Sequence, residues 1–152
     1  MKMLSKVTLL AAGLALAATA NAVDVSKPAK NGYKQQKVVY HVNYKDIKRQ
    51  KAALRNIQNH INAVGAKNLD LRVVMHGGGF TLLQAANKDL DMQNKIISLK
   101  EQGVKFQMCA NTIRGKKLDK KSLFGLKDSD IVPSGVAEIA HLEAEGFSYI
   151  RP

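Results

Sequence analysis

Apolar positions along this chain switch repeatedly between two spacings. Val38-Val39-Tyr40-His41-Val42 is a short run of β-branched and aromatic side chains and predicts a strand. Beyond it, Ile47, Leu54, Ile57, Ile61 and Val64 recur at helical spacing, and Gly65 suits the C-terminal stop. Leu69 to Met75 predicts a second strand, which ends in His76-Gly77-Gly78-Gly79, and residues 80–86 read as a short helical turn. Leu90, Ile96, Ile97 and Leu99 mark a helix from Lys88 to Glu101, stopped by Gly103. Val104 to Met108 predicts a third strand ending at Cys109, and a weaker helix or loop follows from Arg114 to Phe124. Ile131-Val132 is a very short fourth strand. Pro133-Ser134 then opens a helix through Glu145, Gly146 closes it, and Phe147 to Ile150 forms a last strand. This alternation predicts an α/β fold, with a mainly parallel sheet of about five strands and helices on both faces. The 152 residues allow one ordinary domain.

The N-terminus follows a different logic. Lys2 and Lys6 precede a stretch from Val7 to Ala18 that is apolar apart from Thr8 and Gly13, and Ala20-Asn21-Ala22 offers small residues at a cleavage site. That layout predicts a secretory signal over residues 1–22, cut before Val23, because the apolar run falls short of the roughly 20 residues a membrane span needs. Residues 23–36 read as a polar leader and 37–152 as the domain, with no stable membrane span expected. The protein is then expected to be periplasmic or otherwise exported. Its formal charge is +12 overall, and removing the signal takes away two lysines and no acid, which leaves +10. Outside the cytoplasm this basic balance points away from nucleic acid and toward small anions or anionic surfaces. Two basic runs carry much of it: Lys45, Lys48, Arg49 and Lys51, then Arg114, Lys116, Lys117, Lys120 and Lys121.

Chemistry concentrates where strands end. Ligands of an open parallel sheet bind at the carboxyl ends of its strands, and His41, His76, Cys109 and Ser134 all fall there. Cys109 is the lone cysteine, so it is buried and inert, paired between chains, or kept reactive. Lys105, Gln107 and Cys109 share one strand face while Val104, Phe106 and Met108 share the other. Asn111 and Thr112 offer caps for a following helix, and with Arg114 they would favour a thiolate. Gly77, Gly78 and Gly79 form either an anion cradle with exposed N–H groups or a tight strand-to-helix turn. His60 and His141 fall on helices and read as structural or solvent-facing, and Ser134 reads as an N-cap. No P-loop, Gly-x-Gly-x-x-Gly, Gly-x-Ser-x-Gly, His-Glu-x-x-His or Cys-x-x-Cys occurs.

Five ordered stretches resemble the DsrE/DsrF-like sulfur-relay family, in particular its small exported single-domain members. They are Val38 to Val42; Val73-Val74-Met75-His76-Gly77-Gly78-Gly79; Gly103 to Thr112; Val132-Pro133-Ser134-Gly135-Val136-Ala137-Glu138; and Gly146 to Pro152. The resemblance implies a three-layer α/β/α sandwich, homo- or hetero-oligomers, and a persulfide carried at the position of Cys109. The expected function is a sulfur carrier that passes sulfane sulfur from Cys109 to a partner thiol. The Gly77–Gly79 backbone and nearby cations would stabilise the anion, and His41 or His76 would assist proton transfer. A sulfur donor or acceptor protein or a small sulfur anion is the expected partner, and no cofactor is expected. The competing expectation is a binding module in which His41, His76 and Cys109 hold a metal such as Cu or Zn, or a small anion, without turnover.

Overall fold

A computed structural model describes residues 32–152. The expected signal over residues 1–22 and most of the expected polar leader lie outside the described residues. Five strands form one parallel sheet in the order β4-β3-β2-β1-β5: β1 (Gln36–Val42), β2 (Leu69–Met75), β3 (Lys105–Cys109), β4 (Ile131–Val132) and β5 (Ser148–Ile150). Five α-helices intervene: α1 (Ile47–Val64), α2 (Thr81–Ala86), α3 (Leu90–Glu101), α4 (Ala110–Gly115) and α5 (Gly135–Ala144). The architecture is the three-layer α/β sandwich that the strand–helix alternation predicts.

The period of two along each strand divides the layers. Val38, Tyr40 and Val42 of β1, Leu71, Val73 and Met75 of β2, and Phe106 and Met108 of β3 face one way. They pack with Leu54, Ile57 and Ile61 of α1, Leu82 and Leu83 of α2, and Met92, Ile96 and Leu99 of α3. The alternate positions Val39 and Val74 meet Ile139 and Leu142 of α5, with Phe147, in a much smaller cluster. The main core therefore lies between the sheet and α1–α3, and α5 alone crosses the opposite face. Because burial of apolar area is the main favourable term, these two clusters anchor their helices unequally.

Local signals account for the helix ends. Asp46 caps α1 by accepting from the Arg49 N–H, Asp89 caps α3 from the Met92 N–H, and Ser134 caps α5 from the Ala137 N–H. Gly65, with φ +89°, ends α1 in a conformation that favours glycine.

One stretch departs from expectation. The segment after β3 is helical at once, over Ala110–Gly115, and a 3₁₀ turn at Lys120–Ser122 follows after a loop. Cys109 itself, extended at φ −69° and ψ 119°, is the N-cap residue. Asn111 and Thr112 consequently sit inside the first turn and do not cap it. Six residues of Ala-Asn-Thr-Ile-Arg-Gly carry too little apolar periodicity to announce such a helix.

Chain order reverses at β1. The first four strands step outward from β1 to one edge, and α5 carries the chain back across the sheet to β5 on the other side of β1. At the end of β2, a 3₁₀ turn over Gly77–Phe80 runs hard against the end of β1. A Cβ on Gly79 would lie 1.9 Å from the Val42 carbonyl oxygen, so no side chain fits without moving a strand. Gly79→Ala should destabilise the fold by about 1–3 kcal/mol or more, read as a lowered urea midpoint with an unchanged slope.

Candidate functional site

Strand register places three of the expected site residues on one sheet face at one edge. His41 lies on the face of Val39, His76 on that of Val74, and Cys109 on that of Gln107, which pairs with Val74. The first residue of α5 closes over them: a Cβ on Gly135 would fall 2.9 Å from the His76 Cβ and 3.3 Å from the Cys109 Cβ. His76 and Cys109 line a common cleft of about 390 Å³ with Gly77, Thr112, Lys116 and Ser134. His41 sits behind His76, away from that cleft.

Cys109 is buried, with 4% of its surface exposed. Burial pushes its thiol up. The N–H groups of Gly135 and Thr112, the Thr112 hydroxyl and the Asn111 N–H outweigh this and bring it below its ordinary value. These donors come from the starts of two helices, α4 and α5, whose dipoles also favour an anion. The Cys109 side chain makes no capping hydrogen bond to the helix it starts. Thr112 is the joint of the arrangement: its Oγ1 also accepts from the Gly77 N–H at 2.9 Å, which ties the β2 turn to α4.

The two histidines form a pair. His41 Nε2 and His76 Nε2 are 2.6 Å apart, and their rings stack at 4.6 Å between centroids. His41 Nδ1 is 2.7 Å from the Tyr149 hydroxyl. Burial, then the positive potential of His76 and of Arg151, lowers the His41 pKa to about 4, and burial lowers that of His76. Both rings are therefore neutral near pH 7, and one must donate while the other accepts. Tyr149 was not among the candidates, because its proximity to His41 follows from the pairing of β5 beside β1, where Val39 aligns with Tyr149. Gly135 and the double role of Thr112 were also unread; the only local signal was the helix start that each occupies.

Several expectations are corrected. The N–H groups of Gly77, Gly78 and Gly79 are already engaged, by Thr112 Oγ1, the Asn43 carbonyl and the His76 carbonyl. The glycines therefore serve close chain approach rather than an open anion cradle, and the donors around the sulfur come from α4 and α5 instead. Arg114 is exposed and donates to the Asn111 side chain at the cleft rim, so it does not reach the sulfur as a direct partner. Among the described residues, no group of three His, Cys, Asp or Glu side chains is placed to hold a metal ion. His41, His76 and Cys109 accordingly do not form the ligand set considered from the sequence, since the two Nε2 atoms are spent on each other. His60 is structural: it bridges the Tyr40 hydroxyl at 3.0 Å and the Gln36 side chain at 2.8 Å. No described helix is long and apolar enough to cross a membrane.

Known proteins resemble this chain in sequence and in shape. A family model described as the DsrE/DsrF-like family matches residues 10–152. The solved structure of a protein of unknown function, MTH1491 from Methanobacterium thermoautotrophicum, is 30% identical with a TM-score of 0.66. That match covers 78% of this chain and all of the other. Among curated proteins, none matches significantly.

Two outcomes follow from the geometry. Folded His41 takes its proton near pH 4, whereas an unfolded histidine does so near 6.5. The unfolded chain thus binds more protons between those values, so stability is full above pH 6.5 and is lost as pH falls toward 4. The loss is on the order of 3 kcal/mol at most, and urea titrations across pH 4–7 should show it flattened in His41→Asn. Thr112→Val removes a donor from the sulfur and should raise the Cys109 pKa, measured by thiolate absorbance or by the pH dependence of alkylation.

Proposed function

We propose, since the chain belongs to the DsrE/DsrF-like family, that it carries sulfane sulfur as a persulfide on Cys109 and passes it to a partner thiol. The observation that carries this reading is one buried sulfur lining a cleft beside the starts of α4 and α5, where the Gly135, Thr112 and Asn111 groups hold its pKa below the ordinary value. A thiolate is the form that attacks, and a persulfide anion needs the same stabilisation. The Cys109 thiolate attacks the outer sulfur of a donor persulfide, a sulfur–sulfur bond forms, and the donor leaves as a thiolate with the bonding pair. Transfer onward reverses the roles: the partner thiolate takes the outer sulfur and Cys109 departs as thiolate. Neither step changes the overall oxidation state.

The cleft, at about 390 Å³, admits the end of a donor chain or a small sulfur anion, with Lys116 at its wall. We further propose that the protein acts after export, a reading supported by the Lys2–Ala22 pattern, and that it works as a homo-oligomer, one of the two kinds of assembly the family resemblance implies. A buried, inert cysteine is the reading to be beaten.

Mass spectrometry of protein purified from its native compartment decides between them. A gain of about 32 Da on Cys109, one sulfur atom, that reductant removes and that Cys109→Ser abolishes is the expected result. A thiol that neither gains sulfur nor reacts with alkylating agents in the folded protein overturns it.

A further inference from the structure

The hydrogen-bond chain running from Tyr149 through His41 to His76 has a direction. A phenol is the better donor and a neutral imidazole the better acceptor, so at 2.7 Å the Tyr149 O–H donates to His41 Nδ1. His41 must then carry its proton on Nε2, and at 2.6 Å that N–H donates to His76 Nε2. His76 is left with its proton on Nδ1. One hydroxyl thus fixes the tautomers of two rings, the second of which lines the Cys109 cleft. Tyr149 is 42% exposed while His41 is 9% exposed, so the chain joins solvent on the β5 side to a buried ring and, through His76, to the cleft.

We propose that Tyr149 is a positioning residue: it sets the tautomers of the His41–His76 pair and connects that pair to solvent as a proton path serving the Cys109 cleft. The proposal rests on the sulfur-carrier reading for its purpose and deepens it. When Cys109 changes between thiol and thiolate, a proton leaves or enters the cleft. A hop from Tyr149 to His41 Nδ1, with one from His41 Nε2 to His76 Nε2 and one off His76 Nδ1 onto water in the cleft, moves a single proton inward. The reverse sequence carries one outward and restores the tautomers. Both rings exchange tautomers and no net charge is left on either. The tyrosine regains its proton from water. Charge on the pair is disfavoured by burial of both rings and, at His41, by His76 and Arg151. Arg151 is itself held by the Asn43 side chain at 3.1 Å. A path that never holds a charged imidazolium suits that setting.

Tyr149→Phe keeps the ring and removes the hydroxyl from an exposed position, so the fold should be retained. Nitrogen-15 NMR of the histidines in the purified protein should show His41 protonated on Nε2 and His76 on Nδ1, and in Tyr149→Phe this preference should relax or invert. The rate of Cys109 sulfur uptake from a small persulfide such as glutathione persulfide should fall about tenfold, a modest share of the 10²–10⁴ a positioned proton transfer contributes. Its pH profile should shift as well, which a merely structural role would not move. Wild-type histidines with the opposite tautomers, or both Nε2 atoms unprotonated, would overturn the proposal. So would a Tyr149→Phe variant with unaltered tautomers or an unaltered uptake profile. If wild-type Cys109 takes up no sulfur, the sulfur-carrier reading and the path's role at the cleft both fall, whatever the tautomers show. If uptake proceeds identically in Tyr149→Phe, only the proton path falls.

Discussion

The closeness of the first residue of α5 to the ends of β2 and β3 governs everything at the cleft. Only glycine permits it, because any Cβ at position 135 would press on the β-carbons of His76 and Cys109. At that distance the start of α5 lies beside Cys109, and the Gly135 N–H and the helix dipole behind it favour the thiolate. A second helix, α4, begins on Cys109 itself and supplies the remaining donors. Two helix starts aimed at one sulfur offset the burial that would otherwise hold it as a neutral thiol.

Charge is handled in opposite ways a few residues apart. Around Cys109 backbone dipoles favour an anion. Around His41 burial and neighbouring positive potential disfavour a cation. Both effects work in one direction, disfavouring imidazolium at the pair and favouring the thiolate over its ordinary share. Thr112 links the two regions, since its hydroxyl serves the sulfur while accepting from the Gly77 N–H beside His76. The same short contacts that build the fold at β2 thus set the chemistry at β3.

Much of the architecture was legible along the chain because local patterns and tertiary packing agree. The Ile47–Val64 helix and the Leu69–Met75 strand match their spacing closely, and the position of Cys109 at a strand end follows from alternation alone. What stayed hidden depends on strand order. The β5 strand beside β1 is a long-range pairing, and it alone brings Tyr149 to His41. The glycine run was ambiguous for another reason. Composition shows that a tight turn or an exposed cradle is possible, but only the partners of its N–H groups decide between them. The α4 helix was expected to start later because it is under two turns long and begins without a conventional cap.

The unequal layers of this sandwich also set an order of opening. Free energies of local unfolding follow the apolar contact that must be broken. The face under α5 holds Val39, Val74, Ile139, Leu142 and Phe147, whereas the opposite face holds most of the core. Lifting α5 therefore costs less than lifting α1–α3, and it withdraws Gly135 from beside His76 and Cys109. A sulfur almost sealed from water in the closed form would be uncovered by a fluctuation that leaves the main core intact.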